Sequence, residues 1–170
     1  MTKILLSLHV LAAIVAVGPV TVAASMFPAA ARKAAAALPV GAPRESGSVG
    51  VAAADGRGDT GTVRLLHRIC RVYSGLGIAV PVLGFATAVA MGVLQDTWLV
   101  ASITLTAFAA GLLAAFVLPR QEELLEQLAG GRPVERAATA RLAMFTGLFN
   151  LLWATVTVLM IVRPGSTTGA

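Results

Sequence analysis

Charged and apolar positions are sharply segregated along the chain. Residues 4–27, 72–94, 97–118 and 142–162 contain no Asp, Glu, Lys or Arg, and every charged side chain falls between or beside these runs. A helix needs about 20 apolar residues to cross a hydrocarbon layer of roughly 30 Å, and each run meets that length. Lipid offers no partner to free backbone groups, so each run must be helical. The pattern predicts an all-α membrane protein, a four-transmembrane-helix bundle forming a single integral membrane domain over residues 1–170. Pro19 at mid-span in the first run and Pro81 in the second each remove a ladder hydrogen bond, predicting kinked first and second helices. Pro28 and Pro119 follow the first and third runs, where a helix stops at little cost.

Composition strengthens this picture. The chain is 57% hydrophobic and only 12% charged, against about 45–50% and about 25% in ordinary soluble domains. The net charge of +5 sits beside the apolar runs, where it sets orientation and meets lipid phosphates. Aromatic residues are too sparse, at 5%, for the stacking platforms of single-stranded nucleic-acid binding, so nucleic acid is not an expected partner. Arg32, Lys33, Arg44, Arg57, Arg64, Arg68 and Arg71 lie between the first and second runs. Arg120, Arg132, Arg136 and Arg141 lie between the third and fourth, and only Lys3 and Arg163 lie on the other side. The positive-inside bias places both large connections in the cytoplasm and both termini outside the cell. The first run exceeds the roughly 7–15 apolar residues of a cleaved signal core, and cleavage would export the Arg-rich segment against the bias.

Residues 29–64 form an Ala-, Gly- and Pro-rich stretch expected to be a flexible cytoplasmic loop. Within it, Gly56, Gly58 and Gly61 have the spacing of a dinucleotide-binding turn, but the strand and helix that such a turn requires are not predicted around it. The connector 119–141 contains a candidate amphipathic helix at 121–128, ended by Gly130-Gly131 and expected at the membrane surface.

At about 100° per residue, small residues fall into stripes that allow close helix approach. Ala12, Ala13, Ala16 and Ala23 share a side with His9 in the first helix. Ser74, Gly77, Pro81, Gly84 and Ala88 continue the His67 and Cys70 face in the second. Ala107, Gly111 and Ala115 do so in the third. The fourth presents Thr146, Asn150, Trp153 and Thr157. Asn150 is the most polar mid-membrane side chain, expected to bond across helices to Thr21, Ser102 or a carbonyl freed near Pro19 or Pro81. Asn150, Thr146, Thr157 and Thr21 are therefore the interhelical polar candidates. Trp98 and Tyr73 suit the headgroup belt, whereas Trp153 is expected to pack on a neighbouring helix.

Chemistry is sparse. The runs supply no carboxylate or cation for a proton relay, and no acid–base pair or nucleophile arrangement is visible. Cys70 is the only cysteine, which excludes an intrachain disulfide. His67 and Cys70, three apart on one face, are a two-ligand metal candidate. Its alternative is interfacial, with His67, Arg68 and Arg71 reaching toward phosphates. His9 is deeper, flanked by alanines that leave room for a flat or bulky group. It is read either as packing through a carbonyl bond or as a ligand to haem or copper. The two histidines lie roughly 20 Å apart along the membrane normal and cannot share one metal.

The stretch Leu8-His9-Val10-Leu11-Ala12-Ala13-Ile14-Val15-Ala16-Val17-Gly18, with Leu65-Leu66-His67-Arg68-Ile69-Cys70-Arg71-Val72-Tyr73 and Val80-Pro81-Val82-Leu83-Gly84, resembles the first two spans of a bacterial family of integral membrane proteins of unknown function. That family is distantly similar to copper resistance protein D and to HemJ-type protoporphyrinogen oxidases. The resemblance implies His9 as a haem or copper ligand. The chain departs from the copper pattern in having Ala16 and Pro19 where Trp and a second Gly are usual, and in lacking the wider histidine and methionine set. It also lacks the basic residue that a HemJ-type site would place within a span.

The expected function is a packing, partner-binding or small-solute-handling module without autonomous catalysis. Its partners are the lipid bilayer and a second copy or another membrane protein. The alternatives are a haem- or copper-binding redox protein using His9, and a small transporter or channel opening near Pro19, Pro81 and Asn150.

Overall fold

The computed structural model describes residues 2–37 and 49–165, and of residues 49–58 the backbone alone. The described chain is helical: α1 (Thr2–Ala36), α2 (Val49–Leu76), α3 (Ala79–Met91), α4 (Thr97–Leu112), a π turn (Leu113–Val117), α5 (Leu118–Ala129) and α6 (Arg136–Val162). These combine into four helices long and apolar enough to cross a membrane, Thr2–Ala36, Asp59–Met91, Thr97–Ala129 and Arg136–Val162. Large side chains are left uncovered along them, among them Ile4 at 66%, Phe108 at 67% and Ile161 at 76% exposure. Surfaces of that character suit lipid as solvent and would be an aggregation liability in water.

The helices run past the ends expected from the charge pattern. α1 continues through Pro19 and Pro28 to Ala36, because the Ala-rich stretch 29–37 favours helix regardless of its charges. The helix therefore does not stop at Pro28, and no break accompanies Pro19. α2 opens at Val49, so residues 49–64 of the segment expected to be an irregular loop are helical, and residues 56–61 lie within α2 rather than in a phosphate-binding turn. Residues 38–48, the middle of that segment, lie outside the described residues. At 1.5 Å per residue α1 spans about 52 Å, roughly 20 Å more than a hydrocarbon core. Lys33 on α1 meets Asp59 on α2 at 2.9 Å in this overhang.

The second membrane-length helix breaks where Pro81 demands it. Pro81 offers no N–H to the Gly77 carbonyl, which takes the Val80 N–H at 3.1 Å instead, and a turn at Gly77-Ile78 separates α2 from α3. The third helix holds an irregularity not expected from sequence. In the π turn the Leu118 N–H bonds the Leu113 carbonyl, five residues back. That spacing gives room for the Pro119 ring, which would clash with the carbonyl four residues before it. The helix thus passes Pro119, and 121–128 extends it instead of lying apart on a membrane surface. Gln121, Leu124 and Leu128 are buried against the bundle.

The helices pack tightly at one end only. Phe27, Ala31, Val63, Cys70, Val117 and Leu142 form a core with essentially no exposure, built from α1, α2, the π turn and α6. Toward the other end α3 follows α1, and α4 follows α6, so the two pairs diverge. There the buried core shrinks to Ala88, Trp98 and Leu99, with Val93 and Met160 beside them. Trp98, at the start of α4, is buried and gives its Nε1–H to Asp96 at 2.9 Å. The small-residue row Ala107, Gly111 and Ala115 is exposed, and α4 buries Ser102 and Ala109 instead. The bundle is splayed, not uniformly compact.

Candidate functional site

Divergence of the helix pairs opens an apolar cleft of about 1590 Å³ between α1 and α3 on one side and α4 and α6 on the other. It is an open groove along the helix pairs rather than an enclosed cavity. Ile14, Phe85 and Ile161 are on its rim and are themselves exposed, at 64%, 59% and 76%. The cleft is therefore reached sideways, from the lipid-facing surface. Its polar groups are few: His9, Thr21, Thr106, Asn150, Thr157 and Arg163.

His9 stands on the α1 wall. Its Nδ1–H donates to the Val80 carbonyl at 3.0 Å, which fixes the tautomer and leaves Nε2 as the acceptor. The ring lies on Gly84, where an added Cβ would fall 2.8 Å from His9 Cε1. A glycine at 84 is therefore what lets the imidazole enter the α1–α3 interface. Met91 and Met160 border a small pocket together with His9. Neither methionine was distinguishable as a candidate from its place in an apolar run.

Asn150 reaches across from α6 to α1. Its Nδ2–H donates to Ser25 Oγ at 2.9 Å, and the Ser25 hydroxyl in turn donates to the Thr21 carbonyl at 2.7 Å. Ser25, and not Thr21, Ser102 or a proline-freed carbonyl, is the side chain it meets. Thr21 and Thr157 do not bridge helices. Each donates to its own helix, Thr21 to the Gly18 carbonyl at 2.8 Å and Thr157 to the Trp153 carbonyl at 2.9 Å, as threonine in a helix commonly does. Thr146 Oγ1 and Asn150 Oδ1 are buried without a hydrogen-bond partner. Trp153 packs edge-on to Phe149, with ring centres 6.4 Å apart, and borders the cleft.

His67 and Cys70 sit away from the cleft, in the tightly packed end. Gln121 stands between them, its Oε1 accepting from His67 Nδ1–H at 3.2 Å and its Nε2–H facing Cys70 Sγ at 3.6 Å. The amide engages His67 Nδ1 and Cys70 Sγ and leaves His67 Nε2 outside this contact. No group of three or more His, Cys, Asp or Glu side chains suited to a metal occurs among the described residues. Gln121 was not legible as a site residue, because the proline before it argued for a solvated connector.

No protein-family model matches the chain, and neither does any curated protein or solved structure in the comparisons made. The cleft and its polar groups are thus what the functional reading rests on.

Proposed function

We propose that this chain is a four-span membrane protein that takes a large apolar or amphipathic small molecule from the bilayer and holds it between its splayed helix pairs. Among the expected roles this is the small-solute-handling one. The laterally reached cleft carries it. Helices in lipid gain nothing from hiding apolar surface as such, so bilayer tails and a specific ligand both suit the gap, and saturable binding is what separates them. Both large connections belong on the cytoplasmic side by their arginines, which puts the cleft in the outer half of the membrane. A fluorescent fatty alcohol titrated into the protein in phosphatidylcholine nanodiscs is expected to bind saturably. Ala107→Phe, which projects a ring from an exposed position of the α4 wall, is expected to weaken that binding at least about tenfold, the effect of about 1.4 kcal/mol. Non-saturable partitioning that is the same in both proteins overturns the reading.

A second reading keeps His9 as a ligand to haem or copper. The bond from Nδ1 to Val80 orients the ring as outer-shell partners orient metal-bound histidines. Two thioethers, Met91 and Met160, stand by the same pocket, and imidazole with thioether suits copper(I) or a His/Met-ligated haem. Such a group would supply one-electron chemistry, with His9 and one methionine holding it. Protein purified in mild detergent then shows a Soret band or stoichiometric copper that is lost in His9→Ala. A colourless, metal-free wild type removes this reading and leaves the first intact.

A further inference from the structure

The cleft is apolar along most of its depth but carries a cation at one end. Arg163 follows the last residue of α6 with φ 45 and ψ 56, and is the one non-glycine residue with positive φ among those described. The left-handed backbone here closes the helix, its N–H bonding the Leu159 carbonyl at 2.9 Å. The placement here is specific. The guanidinium lies over the Trp98 ring, 5.7 Å from its centre, Nε–H reaches the Met160 carbonyl at 3.4 Å, and the side chain borders the cleft. The nearest carboxylate in sequence and space to this aromatic, Asp96, accepts the Trp98 Nε1–H at 2.9 Å. No ion pair joins Asp96 to Arg163 among the described residues. Arg163 thus keeps guanidinium N–H groups for a ligand, held on an indole face that leaves them little freedom.

At the far end of the cleft stands Asn150, whose Oδ1 lacks a donor. Between the two lie apolar positions such as Val17, Ile103 and Val156. A cation at the mouth above a long apolar trough matches one ligand chemistry.

We infer that the occupant is an anionic amphiphile, its carboxylate or phosphate on Arg163 and its hydrocarbon tail in the cleft. This rests on the cleft being a binding site and adds the headgroup. The free acid and the anionic phospholipid share this chemistry and are separated by the test. The full chain in phosphatidylcholine nanodiscs is titrated with cis-parinaric acid, whose polyene accepts energy from Trp98 and Trp153, the only two tryptophans. The corresponding alcohol is titrated in parallel. The wild type is expected to bind the acid at least about tenfold more tightly than the alcohol, as a charge-assisted hydrogen bond implies. Arg163→Gln is expected to bring acid binding down to the wild type's affinity for the alcohol, and Arg163→Lys to restore most of the preference. Phosphatidylglycerol added to the discs displaces the acid if the natural ligand is a phospholipid, and leaves it bound if it is a free acid. Equal affinity for acid and alcohol in the wild type overturns the headgroup assignment and spares the cleft. Saturable binding of neither overturns both. A preference that persists in Arg163→Gln, with the thermal transition unchanged, assigns the cation wrongly.

Discussion

Phe27→Ala is expected to destabilise the protein by about 3 kcal/mol, the low end of the range for removing a buried aromatic ring. Phe27 is fully enclosed, in the core where α1 meets its neighbours at the tightly packed end. In a soluble protein the loss would combine transfer from water with an unfilled void. Here the separated helices remain in lipid, so the transfer part is small and lost contact dominates. Ile14, equally apolar and on the same helix, is 64% exposed, and Ile14→Ala is expected to change stability by less than about 0.5 kcal/mol. Denaturant titration in mixed micelles measures both. Equal costs for the two would show that the core is not where the structure places it.

Gly84→Val is expected to cost about 2 kcal/mol, within the range for overpacking, although glycine is ordinarily the poorer helix former. The contradiction is informative because its cause is local. The first added carbon would meet His9 Cε1 at 2.8 Å and Nδ1 at 3.2 Å, and the ring cannot swing away without giving up its bond to Val80. In a His9→Ala background the obstacle is gone, and the same substitution becomes neutral or stabilising. A double-mutant cycle in the same micelles reads this coupling directly. Additive effects would mean that the imidazole does not rest on Gly84.

Helix identity was legible in the sequence, while helix ends and contacts were not. Four charge-free runs announce four long helices because an ionised side chain in hydrocarbon is costly. The ends were hidden because helix continues through alanine and lysine as readily as through leucine, and because prolines at 28 and 119 did not act as stops. His9 was visible as an oddity in an apolar run, and bonding to a carbonyl was one of its two readings. Gly84 stood in the right stripe but gave no sign of which helix would press on it. Arg163 looked like an orientation charge, since only folding brings it over Trp98. Thr21 and Thr157 misled for a simpler reason: each hydroxyl has an acceptor one turn back in its own helix and does not need a neighbour.

The π turn has a consequence for evolution as much as for packing. Ala109, Leu113, Val117 and Gln121 are all buried at steps of four, yet in an uninterrupted α-helix such a row winds away by about 40° at each step. One extra residue in a wider turn unwinds the phase by about 100°, which brings Gln121 round to His67 and Cys70 instead of away from the bundle. A lineage that lost a single codon between 113 and 117 would keep its hydropathy profile intact and yet turn that amide away from His67 and Cys70.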